Sequence, residues 1–234
     1  MKNILVTGAS KGIGFEIVKL FLQKTDCNVI AISRNIESLS NLPTTKDESA
    51  RLLPIAFDLT SENYKELTIH LDKYGHIDIL INNAGLLISK PFAELSTEDW
   101  RTLFEVNVLG PVKLIKHLLP YLQKAQSPHI VNIGSMGGFQ GSSKFGGLSA
   151  YSASKAALAN LSECLAGELS GYRIACNCLC LGAVNTEMLQ QAFPTYKAPL
   201  NSPEMAQFIV DFSTTGHRFF NGQVIPVALN NPDV

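Results

Sequence analysis

No charge of one sign prevails along this chain. Its 19 basic and 20 acidic residues leave a formal net charge of -1. That balance gives nucleic acid no electrostatic footprint and an anionic membrane surface no attraction. Long apolar runs are missing as well. The opening Met1-Lys2-Asn3-Ile4-Leu5-Val6 reaches Thr7-Gly8 too soon for a secretory core, and no later run approaches a bilayer span. A cytoplasmic protein with no nucleic-acid or membrane partner is the expectation. Cysteine is scarce and odd in number, five in 234 residues, which argues against a disulfide framework. No Cys-x-x-Cys spacing occurs. Cys176, Cys178 and Cys180 alternate, so on a strand they face one way; with no nearby His they read as small core side chains. No metal site is expected. Linkers, low-complexity tracts and internal repeats are absent, so residues 1–234 read as a single domain.

What the chain has is core: 46% hydrophobic against 17% charged residues, ordinary for a globular enzyme. Short apolar runs at Ile4–Val6, Asn28–Ile32, Leu52–Phe57, Ile77–Ile81, Ile130–Ile133, Ile174–Cys180 and Val224–Val227 mostly lack polar alternation. Such runs suit strands covered on both faces. Helical spacing lies between them, as at Ile13, Ile17, Leu20 and Phe21, and Ser96 resembles an N-cap before Thr97-Glu98-Asp99-Trp100. Repeated strand–helix–strand order predicts an α/β fold, a doubly wound parallel sheet of about seven strands with helices on both faces. Two segments break the rhythm, Gly134–Gly147 with its many Gly and Ser, and Ala183–Pro203 with Pro194, Pro199 and Pro203. Each follows the carboxyl end of a predicted strand, where open α/β sheets hold ligands, so loops near 134–148 and 183–203 are the candidate substrate loops.

Chemistry-bearing residues cluster at the same ends. Thr7-Gly8-Ala9-Ser10-Lys11-Gly12-Ile13-Gly14 runs from the first strand into a helix. Glycines there permit a tight turn and let the backbone approach a pyrophosphate at the helix N-terminus. The spacing is Gly-x-x-x-Gly-x-Gly, unlike the common dinucleotide fingerprint. Tyr151 and Lys155 stand one helical turn apart in Tyr151-Ser152-Ala153-Ser154-Lys155. A phenol with a pKa of about 10 needs help to act near neutrality, and a cation beside it favours the phenolate. Taken alone, the pair reads more readily as two surface residues that happen to stand one turn apart, since such pairs are common. Ser135 follows the fifth strand and can donate to a substrate oxygen or cap a turn. Asn107 sits within a helix, where asparagine is mildly unfavourable, and Asn82-Asn83-Ala84-Gly85 reads as a turn after the fourth strand.

The joint occurrence, in order, of Thr7-Gly8-x-x-x-Gly12-x-Gly14, Asp58, Asn82-Asn83-Ala84-Gly85, Asn107, Ser135 and Tyr151-x-x-x-Lys155 resembles the short-chain dehydrogenase/reductase family. The resemblance covers nearly the whole chain, and within the family it is similar to 3-oxoacyl-carrier-protein reductases and carbonyl reductases. It implies a Rossmann-type fold and hydride transfer between a nicotinamide and a carbonyl or alcohol carbon. Tyr151 is then the acid or base, and Lys155 lowers the phenol's pKa and binds the nicotinamide ribose. Ser135 orients the carbonyl and Asn107 holds a water. Gly8, Ser10, Lys11, Gly12, Ile13 and Gly14 cradle the cofactor; Asp58 and Leu59 meet its adenine. Asn83, Ala84 and Gly85 line the ribose, while Val184 and Thr186 lie by the carboxamide. Three departures from the family pattern stand out: Leu181-Gly182 where Pro-Gly is usual, a longer stretch through Phe139–Leu148, and Ala228-Leu229-Asn230 after the last strand.

Cofactor choice follows from the second strand, which ends Ala31-Ile32-Ser33-Arg34 with no carboxylate until Glu37. An acidic residue there would bind the 2′-hydroxyl of NAD; Arg34, with Lys11, suits the 2′-phosphate of NADP(H), which is expected ahead of NAD(H). The expected substrate is a medium-sized ketone or aldehyde, or the corresponding alcohol, met by Met136, Phe139, Phe145, Met188, Phe193 and Tyr196. A cofactor-sensing protein with the same fold, or an epimerase or dehydratase relative, are the alternatives; the first would lose Tyr151, Lys155 or Ser135, all present here. The helix after Ser96 is apolar on every side, from Trp100 through Leu119, and the Tyr151 helix broadly so. Both features, with the resemblance, predict a homodimer or homotetramer.

Overall fold

The computed structural model describes residues 1–24 and 26–229. The seven apolar runs become β1 (Lys2–Thr7), β2 (Cys27–Ser33), β3 (Leu52–Ala56), β4 (Ile79–Asn82), β5 (His129–Ser135), β6 (Ala175–Leu181) and a last strand at Val224–Val227. All pair in parallel in the order β3-β2-β1-β4-β5-β6 and then the last strand. Chain order reverses between β1 and β4, which opens a crevice at the carboxyl ends of those strands. This is the doubly wound Rossmann arrangement.

Helices α1 (Gly12–Lys24), α2 (Glu37–Ser40), α3 (Lys46–Arg51), α4 (Lys65–Leu71), α5 (Thr97–Phe104), α6 (Gly110–Leu122) and α7 (Ser149–Glu168) fill the crossovers. Beyond β6 the chain forms β7 (Val184–Asn185), α8 (Glu187–Ala192), β8 (Leu200–Asn201) and α9 (Ser202–Thr215) before the final strand, β9. One core packs Ile17, Phe21, Ile209 and Phe212 from α1 and α9 against Ile4, Val6 and Val29. On the other face Leu67, Leu114 and Leu118 from α4 and α6 cover Leu5, Ile30 and Leu80. Strand side chains are thus buried on both faces, which is why polar alternation is missing. Among the described residues no helix is long and apolar enough to cross a membrane.

Two local departures shape the site. The Ala183–Pro203 segment lacks a readable period, yet it contains α8 and a β7–β8 ladder. Thr186 caps α8 by accepting from the Leu189 N–H at 3.2 Å, and the short helix needs no long apolar repeat. Ser96 does cap α5, in a reciprocal box with Asp99. The helix does not continue regularly, however. Residues Glu105–Leu109 form a π turn. Pro111 explains it: its ring would collide with the carbonyl four residues back, that of Asn107, and it has no N–H to offer that carbonyl.

Candidate active site

The glycine turn after β1 is held by close backbone approach. Gly8 and Gly12 have φ of +65° and +57°, the left-handed region that glycine tolerates. A Cβ on Gly8 would lie 2.8 Å from the Ala84 Cα, and one on Gly14 would lie 2.3 Å from the Gly8 carbonyl oxygen. Gly14 stands behind the cavity wall that Gly8, Ser10, Lys11, Gly12 and Ile13 line. The turn is braced from the β4 end. Asn83 and Ala84 donate their backbone N–H groups to Thr7 Oγ1 at 3.1 and 3.0 Å, and Asn83 Nδ2 donates to the carbonyls of Thr7 and Gly8. Asn83, expected along the ribose, therefore spends its amide on the turn itself, a role its place in a turn motif did not reveal.

Beside this turn, Ser33 Oγ donates to Ser10 Oγ at 2.8 Å, and Arg34 lines the same wall as Asp58, Leu59 and Thr60. The Thr60 backbone N–H holds the Asp58 carboxyl below its usual range; burial opposes this, while the Thr60 hydroxyl and the Arg34 charge add to it. Lys11 is committed elsewhere than expected. Its ammonium bonds Glu187 of α8 at 2.7 Å, joining the glycine turn to the opposite lip of the cleft through two exposed side chains. Thr186 and Val184 line that lip, and Thr186 Cγ2 would face a Gly12 Cβ at 3.7 Å.

Ser135 ends β5, while Tyr151 and Lys155 face it from the first turns of α7, which begins two residues before Tyr151. All three line one cavity with the glycine turn. The phenol lies buried beside Leu103, Leu148 and Ala150, with Leu86, Leu87 and Phe193 packed around them. Burial raises its pKa above the usual tyrosine range, only partly countered by a hydrogen bond with Ser135. The expected lowering by Lys155 is not what the geometry gives. The Lys155 ammonium donates to the Ile133 carbonyl at 2.8 Å, and burial pulls its own pKa down to about 8, against the nearby Cys178 and Cys180. Gly138 makes this packing feasible, since a Cβ there would lie 2.5 Å from the Ala156 nitrogen and 2.6 Å from the Lys155 carbonyl carbon.

Asn107 lies within the π turn, fully buried and behind the cavity wall. Its Oδ1 accepts from the Leu86 N–H at 2.8 Å; its Nδ2 donates to the Leu86 carbonyl and to Ser154 Oγ, both at 2.9 Å. Ser154, not among the site residues expected from the sequence, donates in turn to the Tyr151 carbonyl at 2.7 Å. Only its position three residues after Tyr151, on the same helix face, could have singled it out.

The cavity measures about 680 Å³ and runs from the glycine turn and Arg34 past Ser135 and Tyr151 to Phe145 and Phe193. Met136, Met188 and Tyr196 line it as expected. Phe139 does not; it packs against the cluster of Met136, Ala159, Cys178 and Cys180. The substitution of proline by Leu181 is accommodated in the sheet, where Leu181 pairs between Ser135 and Val227 and a proline would lack the N–H. A Cβ on Gly182 would approach the Ala228 Cβ to 2.8 Å, so that glycine is set by the end of β9. Asn230 lies outside the described residues.

A glycine turn at the switch point of a doubly wound sheet, with Ser135, Tyr151 and Lys155 gathered above it, defines an oxidoreductase of the Rossmann class. The chain belongs to the short chain dehydrogenase family, whose model matches residues 2–197. It is 29% identical over 239 residues to the 3-oxoacyl-[acyl-carrier-protein] reductase FabG of Thermotoga maritima, covering 97% of this chain and 96% of that one. Among solved structures, ElxO with NADP bound superimposes with a TM-score of 0.84 at 27% identity, covering 97% of this chain and 96% of the other. 4-Hydroxyisoleucine dehydrogenase complexed with NADH does so at 0.83 and 26%, covering 97% of each.

Proposed function

We propose that this protein is a cytoplasmic, NADPH-preferring reductase of ketones or aldehydes, able to run in reverse on alcohols, with Tyr151 as the group that moves the proton. The observation that carries the reading is the convergence of Ser135, Tyr151 and Lys155 on one cavity whose other end is the glycine turn. The residues at that end fit a dinucleotide. Gly12, in the left-handed region, opens α1 there with only the Thr186 side chain within 4 Å of where a Cβ would stand, and the N-terminus of α1 begins at that point. When bound, the reduced nicotinamide supplies a hydride to the carbonyl carbon.

The chain's own residues do the rest. Ser135 donates a hydrogen bond to the carbonyl oxygen and draws its charge as the alkoxide develops. Tyr151 then gives that oxygen its phenolic proton, so that carbonyl, NADPH and one proton become alcohol and NADP⁺. Burial that raises the phenol's pKa keeps the proton in place until the alkoxide forms, which suits reduction. Lys155 remains cationic at neutral pH and holds the ribose. Asn107 has spent its side chain on Leu86 and Ser154, so a water in the relay meets its backbone carbonyl, the one Pro111 leaves without a helical donor. Arg34 takes the 2′-phosphate; Lys11 joins it only by leaving Glu187. NADP-bound ElxO supports the phosphorylated cofactor, and NADH-bound 4-hydroxyisoleucine dehydrogenase marks NAD(H) as the alternative. The assembly proposed is a homodimer or homotetramer.

Tyr151→Phe tests the reading, since the ring stays and the transferable proton goes. Turnover should nearly vanish while NADPH affinity stays within about a few-fold. Full activity in that variant would remove Tyr151 as the acid. A tyrosine-to-phenylalanine variant of ElxO is seen with NADPH bound, which accords with retained affinity.

A further inference from the structure

The two halves of the cavity differ in chemistry. Of its charged lining side chains, Lys11, Arg34 and Asp58 belong to the glycine-turn half, Glu187 of α8 is paired with Lys11, and Lys155, one turn below Tyr151, gives its ammonium to the Ile133 carbonyl. Beyond Ser135 and Tyr151 the wall is apolar. Leu86 and Leu87 follow β4, Val106 comes from the π turn, and Phe145 and Leu148 precede α7. Phe193, at the end of α8, faces Phe145 with ring centroids 6.4 Å apart at 63°, an edge-to-face contact that joins the two substrate loops. Besides Ser135 and Tyr151, the polar side chains in this half are the Thr102 hydroxyl and the Tyr196 phenol. Neither can supply a cation.

An anionic group brought into this half would lose water and, among the described residues that line it beyond Tyr151, find no cation. Burying an unpaired carboxylate is costly, so such ligands are disfavoured there. An aryl or branched alkyl group instead replaces water against Leu148, Phe145 and Phe193, and an aromatic ring can join their edge-to-face pair. Resting on the reductase reading above, we infer that the substrate is an uncharged, largely apolar carbonyl compound with an aryl or bulky alkyl arm. Phe145 and Phe193 set this specificity, and substrates bearing a carboxylate or phosphate on that arm are disfavoured. The longer stretch through Phe139–Leu148 then has a purpose, because it brings Phe145 to the mouth.

The test uses a matched pair, benzylacetone and its ring-carboxylated analogue, with the full chain. Binding to the NADP⁺-saturated protein is measured by calorimetry, and reduction is followed by NADPH consumption. Benzylacetone should bind at least about tenfold more tightly than the carboxylate, and Phe193→Ala should weaken it by about tenfold while NADP⁺ binding reports that the variant is folded. Met188→Lys, which places a cation on the same wall, should raise affinity for the carboxylate. Selective binding of benzylacetone without reduction would uphold the inference and sink the reductase reading. Equal binding or equal kcat/KM for the two ligands would overturn the inference and leave that reading standing. Binding of neither would overturn the inference as well.

Discussion

A single methyl group added at Gly138 should damage the site more than any change elsewhere in its loop. The Cβ of Gly138→Ala would stand 2.5 Å from the Ala156 nitrogen and 2.6 Å from the Lys155 carbonyl carbon. Ordinary contact needs roughly a further 1 Å, and the obstructing atoms are helix backbone that cannot rotate aside. The Met136–Gly138 turn must therefore back away from α7. Overpacking of this kind costs about 1–3 kcal/mol, and a domain of this size loses about 2–4 °C in Tm per kcal/mol. A fall of about 4–8 °C is the central expectation. The same retreat separates Ser135 from Tyr151 and Lys155, and misplacement by about 1 Å costs on the order of a hundredfold in turnover. Gly146→Ala is the control: it lies in the same loop with nothing within 4 Å of the added carbon. Thermal unfolding and kcat/KM with NADPH and a ketone would be measured on both variants. A Gly138→Ala protein as stable and active as the parent, or a Gly146→Ala protein equally damaged, would refute the claim that this contact seats α7.

Other outcomes follow from the same geometry. Arg34→Asp should erase or reverse the proposed preference for NADPH, because a charge-assisted contact of about 1.5–3 kcal/mol would become a repulsion; equal kcat/KM for both cofactors in the parent would contradict this. The Lys155 pKa of about 8 lies below the ordinary lysine value of 10.5, so its charge is present below about pH 8 and lost above it. The kcat/KM for NADPH should then be level on the acid side and fall about tenfold per unit beyond the break; a level profile to pH 10 would show that the charge does no work there. Light scattering at micromolar concentration should give the mass of a dimer or tetramer, since Leu109 is exposed and Trp100, Phe104 and Leu161 are only half-buried on α5, the π turn and α7; a monomer mass would end that reading.

The strands were legible because a sheet covered on both faces writes continuous apolar runs, and all seven runs lie in the main sheet. The glycine turn was legible for a different reason, since glycine at positions 8 and 14 marks close backbone approach and glycine at position 12 marks a left-handed turn. What escaped depends on partners distant in sequence. Nothing local tells Lys11 that Glu187 lies across the cleft, or tells Asn83 that Thr7 stands within hydrogen-bond reach. The π turn was hidden because Asn107 and Pro111 look like two unrelated weak helix formers. Their four-residue separation, the spacing at which a proline meets a carbonyl, was the available signal. In the Ala183–Pro203 segment the prolines masked α8, whose six residues are too few to display a period.

The site is most closely tied to the fold along α7. A helix laid on a sheet normally turns aliphatic side chains inward, yet the buried residues of α7 include Tyr151, Ser154, Lys155 and Ser162. Each polar one is anchored to another element or to the helix backbone. Ser154 meets Asn107 of the π turn, Lys155 meets the Ile133 carbonyl on β5, and Ser162 accepts from Asn132 Nδ2 while donating to the Leu158 carbonyl. Asn132 in turn accepts from Asn82 at the end of β4. Hydrophobic burial alone would let α7 slide or rotate by a fraction of a turn, because it has no direction. Hydrogen bonds to fixed strand positions forbid that slide, since each broken one would leave a buried polar group unpaired. The polar inner face thus fixes the height of Tyr151 over Ser135. The contacts that make α7 an unusual core helix are the same ones that hold Tyr151, the proposed proton donor, over Ser135.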